Sequence, residues 1–279
     1  MTTIQNIAVL LTCHNRKDKT LQCLEALFLQ QGLNKSFNLE VFMVDDGSTD
    51  DTAGTVNNRY PEINIIHGNG NLYWNRGMHL AWETAVNDHT KFDFYLWLNN
   101  DTNLLSDAIN ELLQCAMWVS KPPIICGAVC SEKTLTYTYG GKTKEGFEIL
   151  PKDKIQNCNS INGNCVLIPK AVYEQIGNLD PIFPHAIGDY DYGLRAIKKG
   201  IPVITTRKYI AYCQKNNNLP QWCYKNVPLK ERIKALYSPL GNSHPNYFFL
   251  FERRHYGIAV AIKHYFTIHL RALIPSLWK

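Results

Sequence analysis

The stretch YLWLNNDTNLL (Tyr95–Leu105) passes from an apolar segment directly into two amides and a carboxylate. Its apolar part belongs to FYLWL (Phe94–Leu98), which is short, aromatic and uninterrupted, as is typical of a strand buried on both faces. Asn99, Asn100 and Asp101 therefore follow the end of a buried strand. These polar residues would make an ordinary turn, but a carboxylate in this place can also bind a cation.

Three earlier apolar runs show the same arrangement, and each is followed by a segment with helical periodicity. The predicted strands are Ile7–Thr12, Leu39–Val44, Ile63–His67 and Phe94–Leu98. The helices predicted after them cover about 19–30, 50–59, 75–86 and 106–119. Strands that alternate with helices indicate an α/β fold with a mostly parallel, Rossmann-like sheet and helices on both faces.

The pattern changes from Ile124 onward. The short runs IICGAV, TYTYGG and NCVLIP predict a small antiparallel portion, and helices are predicted near 170–176, 190–200, 229–236 and 247–270. The composition after about Cys213 is that of a linker. We therefore predict an α/β domain over 1–212 and a helical C-terminal extension over 213–279.

The charge of the chain is divided unevenly. Residues 1–210 contain 19 Lys and Arg against 22 Asp and Glu, whereas residues 211–279 contain 10 against 2. Aromatic residues alternate with the basic ones in the second group. This composition predicts peripheral contact with an anionic membrane, and a basic helix packed on the rest of the chain is the alternative. A nucleic-acid partner is not expected.

The cysteines and the apolar runs bear on the compartment. The nine cysteines have neither a zinc spacing nor a secretory signal before them, so reduced thiols are expected. Lys263, His264 and His269 interrupt the only long apolar stretch near the C terminus, which argues against a transmembrane helix. We expect a cytoplasmic protein, with possible peripheral binding at the inner face of the membrane.

Polar residues follow all four N-terminal strands, and ligands of open parallel sheets bind outside the carboxyl ends of the strands. These residues are Thr12, His14, Asn15 and Arg16; Asp45, Asp46, Gly47 and Ser48; Gly68, Asn69, Gly70 and Asn71; and Asn99, Asn100 and Asp101. We expect them to converge on one crevice. The chain has no Gly-x-Gly-x-x-Gly after its first strand and no Walker loop, which argues against a dinucleotide cofactor and ATP hydrolysis.

A nucleoside diphosphate would suit this crevice. Asp46 offers an acceptor for the ring N–H of uracil or thymine, and Thr12 and Arg16 can hold ribose and phosphate. A diphosphate without a glycine cradle needs another source of positive charge, and a divalent ion is the simplest one. Asp101 is placed to bind that ion, with Asn99 beside it.

Five motifs occur in this order: TCHNR (12–16), VDDGSTDDT (44–52), NGNLYWNRGMHLA (69–81), LNNDT (98–102) and GDYDYGLRAIKKG (188–200). Together they resemble the family 2 glycosyltransferases of the GT-A fold. The resemblance implies that 1–212 is the catalytic domain, with a nucleotide-binding part (about 1–105) and an acceptor part (about 106–212). The resemblance implies a bacterial, inverting, metal-dependent hexosyltransferase that uses a nucleotide-sugar donor, with UDP- and dTDP-sugars favoured. It further implies a saccharide or lipid-linked saccharide acceptor and a role in surface polysaccharide assembly.

The resemblance also implies roles for single residues. Nucleotide contacts are implied for Thr12, Asn15, Arg16, Asp46, Gly70, Asn75, Asn99 and Asn100. Asp101 matches the last Asp of the motif that binds Mn²⁺ or Mg²⁺, but Asn99 replaces the first one and contributes no charge. Aligning Arg195 with the arginine of the family makes Asp189 the favoured catalytic base, with Asp191 as the second candidate. Asp191 would otherwise serve the helix dipole.

Two other functions stay open. A sugar-phosphate nucleotidyltransferase would also use a parallel sheet and a metal, but TCHNRKDKT lacks the Gly-rich loop of that class. A non-catalytic protein that binds saccharides or nucleotides on the same fold is suggested by Asn99. The presence of both Asp101 and Asp189 favours an enzyme.

Overall fold

The computed structural model describes residues 4–216, 218–241 and 243–277. Residues 1–3 of the predicted catalytic domain, and 217, 242 and 278–279 of the predicted extension, lie outside the described residues. The strands of the described part are β1 (Gln5–Cys13), β2 (Phe37–Asp45), β3 (Asn64–His67), β4 (Phe94–Leu98), β5 (Asn103–Leu104), β6 (Ile124–Cys130), β7 (Tyr137–Tyr139), β8 (Gln156–Asn157), β9 (Cys165–Pro169) and β10 (Val203–Tyr212).

These strands form one sheet in the order β3-β2-β1-β4-β9-β6-β10-β5, with β7 beside β6 and β8 beside β10. β1 pairs in parallel with β2 and β4, β2 pairs in parallel with β3, and β6 pairs in parallel with β10. β9 lies antiparallel between β4 and β6. The predicted fold class, a mostly parallel sheet with a small antiparallel portion, is confirmed.

The helices of the described part are α1 (Lys17–Phe28), α2 (Thr52–Arg59), α3 (Tyr73–Val86), α4 (Ala108–Met117), α5 (Lys170–Ile176), α6 (Gly188–Lys198), α7 (Leu229–Leu236), α8 (Pro245–His255) and α9 (Ile258–Leu273). The prediction of one continuous helix over about 247–270 is wrong. The chain turns between α8 and α9 at Gly257, whose φ of 97° is a conformation that glycine adopts without steric cost.

Two apolar cores cover the two faces of the sheet. Alternate residues of β1 point to opposite sides, so that Ile7 and Val9 pack with residues of α1 and α4, whereas Ala8 and Leu10 pack with residues of α3 and α6. This explains why the strand reads as an unbroken apolar run. All nine cysteines are free and buried.

The C-terminal helices pack in two places. Trp222 and Leu236 form a small apolar cluster with residues of α9. α8 instead packs against the segment before α6, where Phe251 joins Phe183 and Ile187 in another cluster. None of the helices in the described part of the chain combines the length and the apolar character that a membrane span needs.

Candidate active site

The polar loops that follow β1, β2, β3 and β4 leave the sheet at one edge. The parallel registers place Cys13 beside Asp45, and Asp45 beside His67, so the three strands end at the same level. Hydrogen bonds join the loops across this edge. The expectation that they converge on one crevice therefore agrees with the backbone.

Asp46 fastens the loop after β3 to the loop after β2. Its carboxylate accepts hydrogen bonds from the backbone N–H groups of Gly70 at 2.8 Å, Leu72 at 2.9 Å and Tyr73 at 2.9 Å. Asp46 is only 3% exposed. A Cβ at Gly68 would lie 2.6 Å from its Oδ1, so the loop approaches this closely only because glycine stands there. Asp46 thus fixes the start of α3.

Asn15 connects the loops after β1 and β2 in a similar way. Its backbone N–H donates to Ser48 Oγ at 3.0 Å, and its side-chain oxygen accepts from the backbone N–H of Thr49 at 2.7 Å. His14 Nδ1 donates to the carbonyl of Asp46 at 2.7 Å. The two loops therefore present a defined surface.

Thr12 and Arg16 lie at the two ends of the first loop. Thr12 packs against α3, where a Cβ at Gly77 would lie 2.3 Å from its hydroxyl oxygen. Arg16 reaches across to the end of β4 and donates from Nη1 to Asp101 Oδ2 at 2.8 Å. The Arg16 side chain remains 50% exposed, so its guanidinium can still meet a ligand.

The side chains around Asp101 do not make up a metal centre of their own. Asp101 is paired with Arg16, and its other oxygen lies 3.8 Å from the thiol of Cys213. Burial, and next the Asp101 charge, raise the pKa of Cys213 to about 11, so this thiol stays protonated. Among the described residues, no group of three or more His, Cys, Asp or Glu side chains could hold a metal ion.

Asn99 belongs to a chain of side-chain hydrogen bonds. Its Oδ1 accepts from Trp74 Nε1 at 2.6 Å, and its Nδ2 donates to Asn164 Oδ1 at 3.2 Å. Asn164 Nδ2 in turn donates to Thr102 Oγ1 at 3.2 Å. An amide both accepts and donates here, which a carboxylate could not do. This is a physical reason for asparagine at position 99.

Asn100 and Asn75 lie in the interior, behind the crevice. Asn100 is 5% exposed and donates to Thr20 Oγ1 at 2.9 Å, which ties the turn after β4 to α1. Asn75 is fully buried and donates to the carbonyls of Asp180 at 2.8 Å and Phe183 at 2.7 Å. Both amides hold backbone segments that shape the site.

A cleft of about 930 Å³ adjoins the edge of the sheet. Trp74 and Asn99 line it on the side of the sheet, together with Asp189 at the start of α6. Gly163 and Asn164 line it as well. His185 is another lining residue, and burial, followed by the charge of Arg16, lowers its pKa. The cleft and the loop that carries Arg16 are therefore neighbours.

Asp189 has the environment of a proton acceptor. Its Oδ2 accepts from the backbone N–H of Gly163 at 2.9 Å, and its Oδ1 accepts from that of Tyr190 at 2.9 Å. Burial raises the pKa of Asp189 from 3.8 to about 6, although these hydrogen bonds favour the charged form. A carboxylate that titrates near 6 is ionised at neutral pH and still basic enough to take a proton.

The backbone before Asp189 is held under strain. Ile187 has a φ of 79°, which is rare for a β-branched residue. A Cβ at Gly188 would lie 1.7 Å from Asn75 Oδ1, so only glycine fits beside that buried amide. These contacts fix the direction in which Asp189 enters α6.

Asp191 has different surroundings, although it lies only two residues further along α6. It is fully buried, with Arg195 Nε 2.9 Å from its Oδ2, and Arg254 Nη1 and His255 Nε2 each 2.8 Å from its Oδ1. Burial alone would raise the pKa of Asp191, but the hydrogen bonds from His255 and Arg254 and the nearby charges outweigh it and lower that pKa. Asp191 is thus a buried ion-pair partner.

The sequence interpretation included a basic helix packed on the rest of the chain as an alternative, but it did not identify the contacts that α8 makes at this site. Arg254 and His255 reach Asp191, and Phe248, Phe251 and Tyr256 are among the residues that line the cleft. The run FERRHYG carries the basic residues together, but nothing in its spacing reveals a partner more than 60 positions earlier. Only the three-dimensional packing identifies this contact.

Comparison with solved structures supports the assignment of the fold. A crystal structure of S. aureus TarS has a TM-score of 0.55 and 12% identity, with 91% of this chain and 44% of the TarS chain covered. TarS 1-349 in complex with UDP has a TM-score of 0.56 and 13% identity, covering 90% of this chain and 72% of that one. TarS 1-349 in complex with UDP-GlcNAc has a TM-score of 0.56 and 12% identity, covering 91% of this chain and 73% of that one. At such identities, the similarity shows the fold alone.

Comparison at the level of sequence gives the family. None of the curated proteins is similar enough in sequence to match the chain. The family model described as glycosyl transferase family 2, however, matches residues 8–175, which are more than half of the 279 residues. The matched segment contains the sheet edge with Arg16, Asp46 and Asp101. The chain therefore belongs to glycosyl transferase family 2.

Proposed function

We propose that this family 2 protein is an inverting glycosyltransferase that moves a sugar from a nucleoside-diphosphate sugar to a hydroxyl group of a saccharide. The observation that carries the proposal is Asp189, a buried carboxylate of raised pKa that lines a large cleft beside the sheet edge. TarS, which shares the fold, has been crystallised with UDP and UDP-GlcNAc, which favours a uridine nucleotide. A dTDP-sugar is the other donor that we consider.

The donor is proposed to bind along the loops after β1–β4. Arg16 is the exposed cation there and would pair with the diphosphate. Thr12, Asn15, Asp46, Gly70 and Asn99 would form the surface for the base, the ribose and the sugar. Because Asp46 already accepts three backbone hydrogen bonds, its main task is to hold Gly70 and the start of α3 in place. Asn75 and Asn100 would act from behind this surface.

The transfer follows from the position of Asp189. The acceptor hydroxyl oxygen would attack the anomeric carbon of the donor sugar, and the bond from that carbon to the diphosphate oxygen would break. The electron pair of that bond leaves with the nucleoside diphosphate, and the hydroxyl proton goes to the Asp189 carboxylate. Attack opposite the leaving group inverts the anomeric centre.

Dependence on Mn²⁺ or Mg²⁺ stays a prediction. One carboxylate paired with an arginine, an amide oxygen that already accepts a hydrogen bond and a protonated thiol do not form a resident metal site. No step of the proposed transfer is therefore assigned to a protein-bound metal.

Thermal unfolding with a panel of nucleotides tests the donor. We expect UDP or dTDP at about 100 times Kd to stabilise the fold by about 2.7 kcal/mol, whereas GDP should have a much smaller effect. Arg16→Met should abolish most of this stabilisation, while the matched change Arg59→Met, at an exposed ion pair on α2, should not. Repeating the scan with Mn²⁺ and with EDTA measures the metal dependence.

The products distinguish the alternatives. Release of UDP or dTDP from the sugar nucleotide, together with a glycoside, would support the transferase. Release of pyrophosphate from a nucleoside triphosphate and a sugar phosphate would instead identify a nucleotidyltransferase. If the protein binds a nucleotide but transfers no sugar with any of the donors and acceptors tested, the non-catalytic alternative is favoured.

A lipid-linked acceptor in bacterial surface polysaccharide assembly is the setting that we propose, with the predicted extension 213–279 at an anionic membrane. α9 and the residues after it carry an exposed apolar stripe: Ile258, Ile262, Phe266, Leu270, Leu273 and Leu277. The opposite side of α9 is buried through Ala261, Ile268 and Ala272. Residues 211–279 contain 10 basic and 2 acidic residues, which complements anionic lipid.

Vesicle sedimentation tests this contact. The protein is expected to bind vesicles that contain phosphatidylglycerol more tightly than phosphatidylcholine vesicles, and added salt should weaken the binding. The double change Ile262→Asp and Phe266→Asp should reduce binding about 10-fold or more, and Met117→Asp on α4, which replaces another exposed apolar residue, should not. A dimer in light scattering that the double change dissociates would show that the stripe binds a second copy instead.

A further inference from the structure

The cleft that contains Asp189 is closed on one side by aromatic rings of the C-terminal extension. Phe248, Phe251 and Tyr256 line it. The ring centroids of Phe248 and Phe251 are 6.1 Å apart, and those of Phe251 and Tyr256 are 6.0 Å apart, so the three rings are continuous. Phe251 is 7% exposed and anchors the group, whereas Tyr256 is 57% exposed.

This aromatic wall is attached to the helix that carries Asp189. Arg254 bridges two carboxylates, because its Nη1 lies 2.8 Å from Asp191 and its Nη2 lies 2.7 Å from Asp180. His255 Nε2 also contacts Asp191 at 2.8 Å, and the His255 side chain is 1% exposed. α6 also donates a hydrogen bond to α8, because Lys198 Nζ at the end of α6 lies 2.8 Å from the Arg254 carbonyl oxygen.

The attachment fixes the wall relative to the proton acceptor. Asp191 follows Asp189 by two residues on α6, so a side chain held on Asp191 cannot move far from Asp189. Phe251 adds an apolar contact with Phe183 and Ile187, the latter directly before α6. The guanidinium of Arg254 lies 5.6 Å from the ring centroid of Phe183. Ion pairs and apolar packing therefore hold α8 in one place.

We propose that Phe248, Phe251 and Tyr256 form the binding wall for a sugar ring of the acceptor, and that Arg254 and His255 are positioning residues for this wall. The inference rests on the proposed function and adds the acceptor subsite. A sugar ring has an apolar face of C–H groups that packs on aromatic rings, while its hydroxyl groups point sideways. A ring seated on this wall would direct a hydroxyl group towards Asp189.

Saturation-transfer NMR with methyl glycosides of glucose, galactose, rhamnose and N-acetylglucosamine tests the wall in the presence of UDP. At least one glycoside is expected to receive saturation through its ring C–H protons. Tyr256→Ala and Phe248→Ala should weaken its binding about 10-fold and leave the Kd of UDP unchanged. Phe266→Ala, at a ring 68% exposed on α9 and not among the cleft residues, is the matched control and should change neither.

The positioning role needs its own comparison. Arg254→Met should weaken the same glycoside while UDP binding persists, Arg254→Lys should restore part of the loss, and Arg253→Met at the exposed neighbouring position should have no effect. Equal loss of glycoside and UDP binding in Arg254→Met would show a general structural role and overturn this assignment.

Two failures can be told apart. If the wild-type protein does not bind UDP or dTDP, the proposed function is wrong. If it binds UDP but no glycoside, or if the glycoside binds equally well to Tyr256→Ala and Phe248→Ala, the proposed function stands and the acceptor wall is overturned.

Discussion

Asp189→Asn is expected to lower the transfer rate by about 100-fold or more while the Kd of the nucleotide stays unchanged. Asparagine has nearly the same size as aspartate and can still accept a backbone hydrogen bond, but it cannot take the proton of the acceptor hydroxyl. The Kd of UDP and the turnover rate at saturating donor, measured on the same preparation, check both halves of this expectation. Full turnover in Asp189→Asn would show that the proton goes to another group.

The pH dependence of the wild-type protein should report the same carboxylate. Burial raises the pKa of Asp189 to about 6, so the basic form is lost as the pH falls through this value, and the rate should fall with it. Between about 3.8 and 6, the folded state binds more protons at this position than the unfolded state, so the ionised carboxylate disfavours folding above pH 6. Asp189→Asn should therefore leave the thermal midpoint at pH 7 unchanged or raise it.

Asp191→Asn is expected to destabilise the fold strongly. It would leave Arg254, Arg195 and His255 without the buried carboxylate between them, and breaking a buried ion pair from one side costs about 3–5 kcal/mol. We expect a cost near the lower end of this range, because the Arg254 side chain is 35% exposed and solvent screens part of its charge. Urea unfolding at pH 7 measures this cost. Glu174→Gln, at an exposed ion pair with Lys170 on α5, is the control and should cost less than about 1 kcal/mol.

Acid should remove the same stabilisation from the wild-type protein. The pKa of Asp191 is lowered in the folded state, so its contribution is present above the ordinary pKa of 3.8 and is lost as the pH falls through the lower folded value. A mutant Asp191→Asn that is as stable as the wild type would contradict the role of the cluster. If Asp191→Asn were stable but inactive and Asp189→Asn remained active, Asp191 would be the catalytic base and Asp189 would not.

The sequence predicts the sheet well because its signals are local. Continuous apolar runs identify β1, β2 and β4, and the polar residues after them identify the edge of the sheet at which we propose that the donor binds. The sequence could not predict that Asp189 and Asp191 have different surroundings. The difference comes from Gly163 on one side and from Arg254 and His255 on the other, which lie far away along the chain.

Local sequence patterns also could not predict the break between α8 and α9. Nor could they predict the hydrogen-bond partners of the buried amides Asn75 and Asn100. Helical periodicity continues through 247–270, whereas α8 ends at His255 and α9 begins at Ile258, with a positive φ at Gly257 between them. The side-chain NH2 groups of Asn75 and Asn100 donate to protein groups, which the sequence does not reveal, and their contact with a nucleotide stays a prediction. The sequence alone does not distinguish an asparagine that donates to buried protein groups from one that contacts a ligand.

The attachment of α8 to α6 has a consequence for the order in which the protein is made. During synthesis, the N-terminal part of a chain leaves the ribosome and folds first. The loops that carry Arg16, Asp46 and Asp101 would thus be in place early, whereas Asp191 would pair only with Arg195 until Arg254 and His255, more than 60 residues later in the chain, have been made. Until α8 has been made and has packed against the segment before α6, the Asp191 carboxylate would lack its contacts with Arg254 and His255. The start of α6, which carries Asp189, would therefore reach its final stability only after α8 is in place.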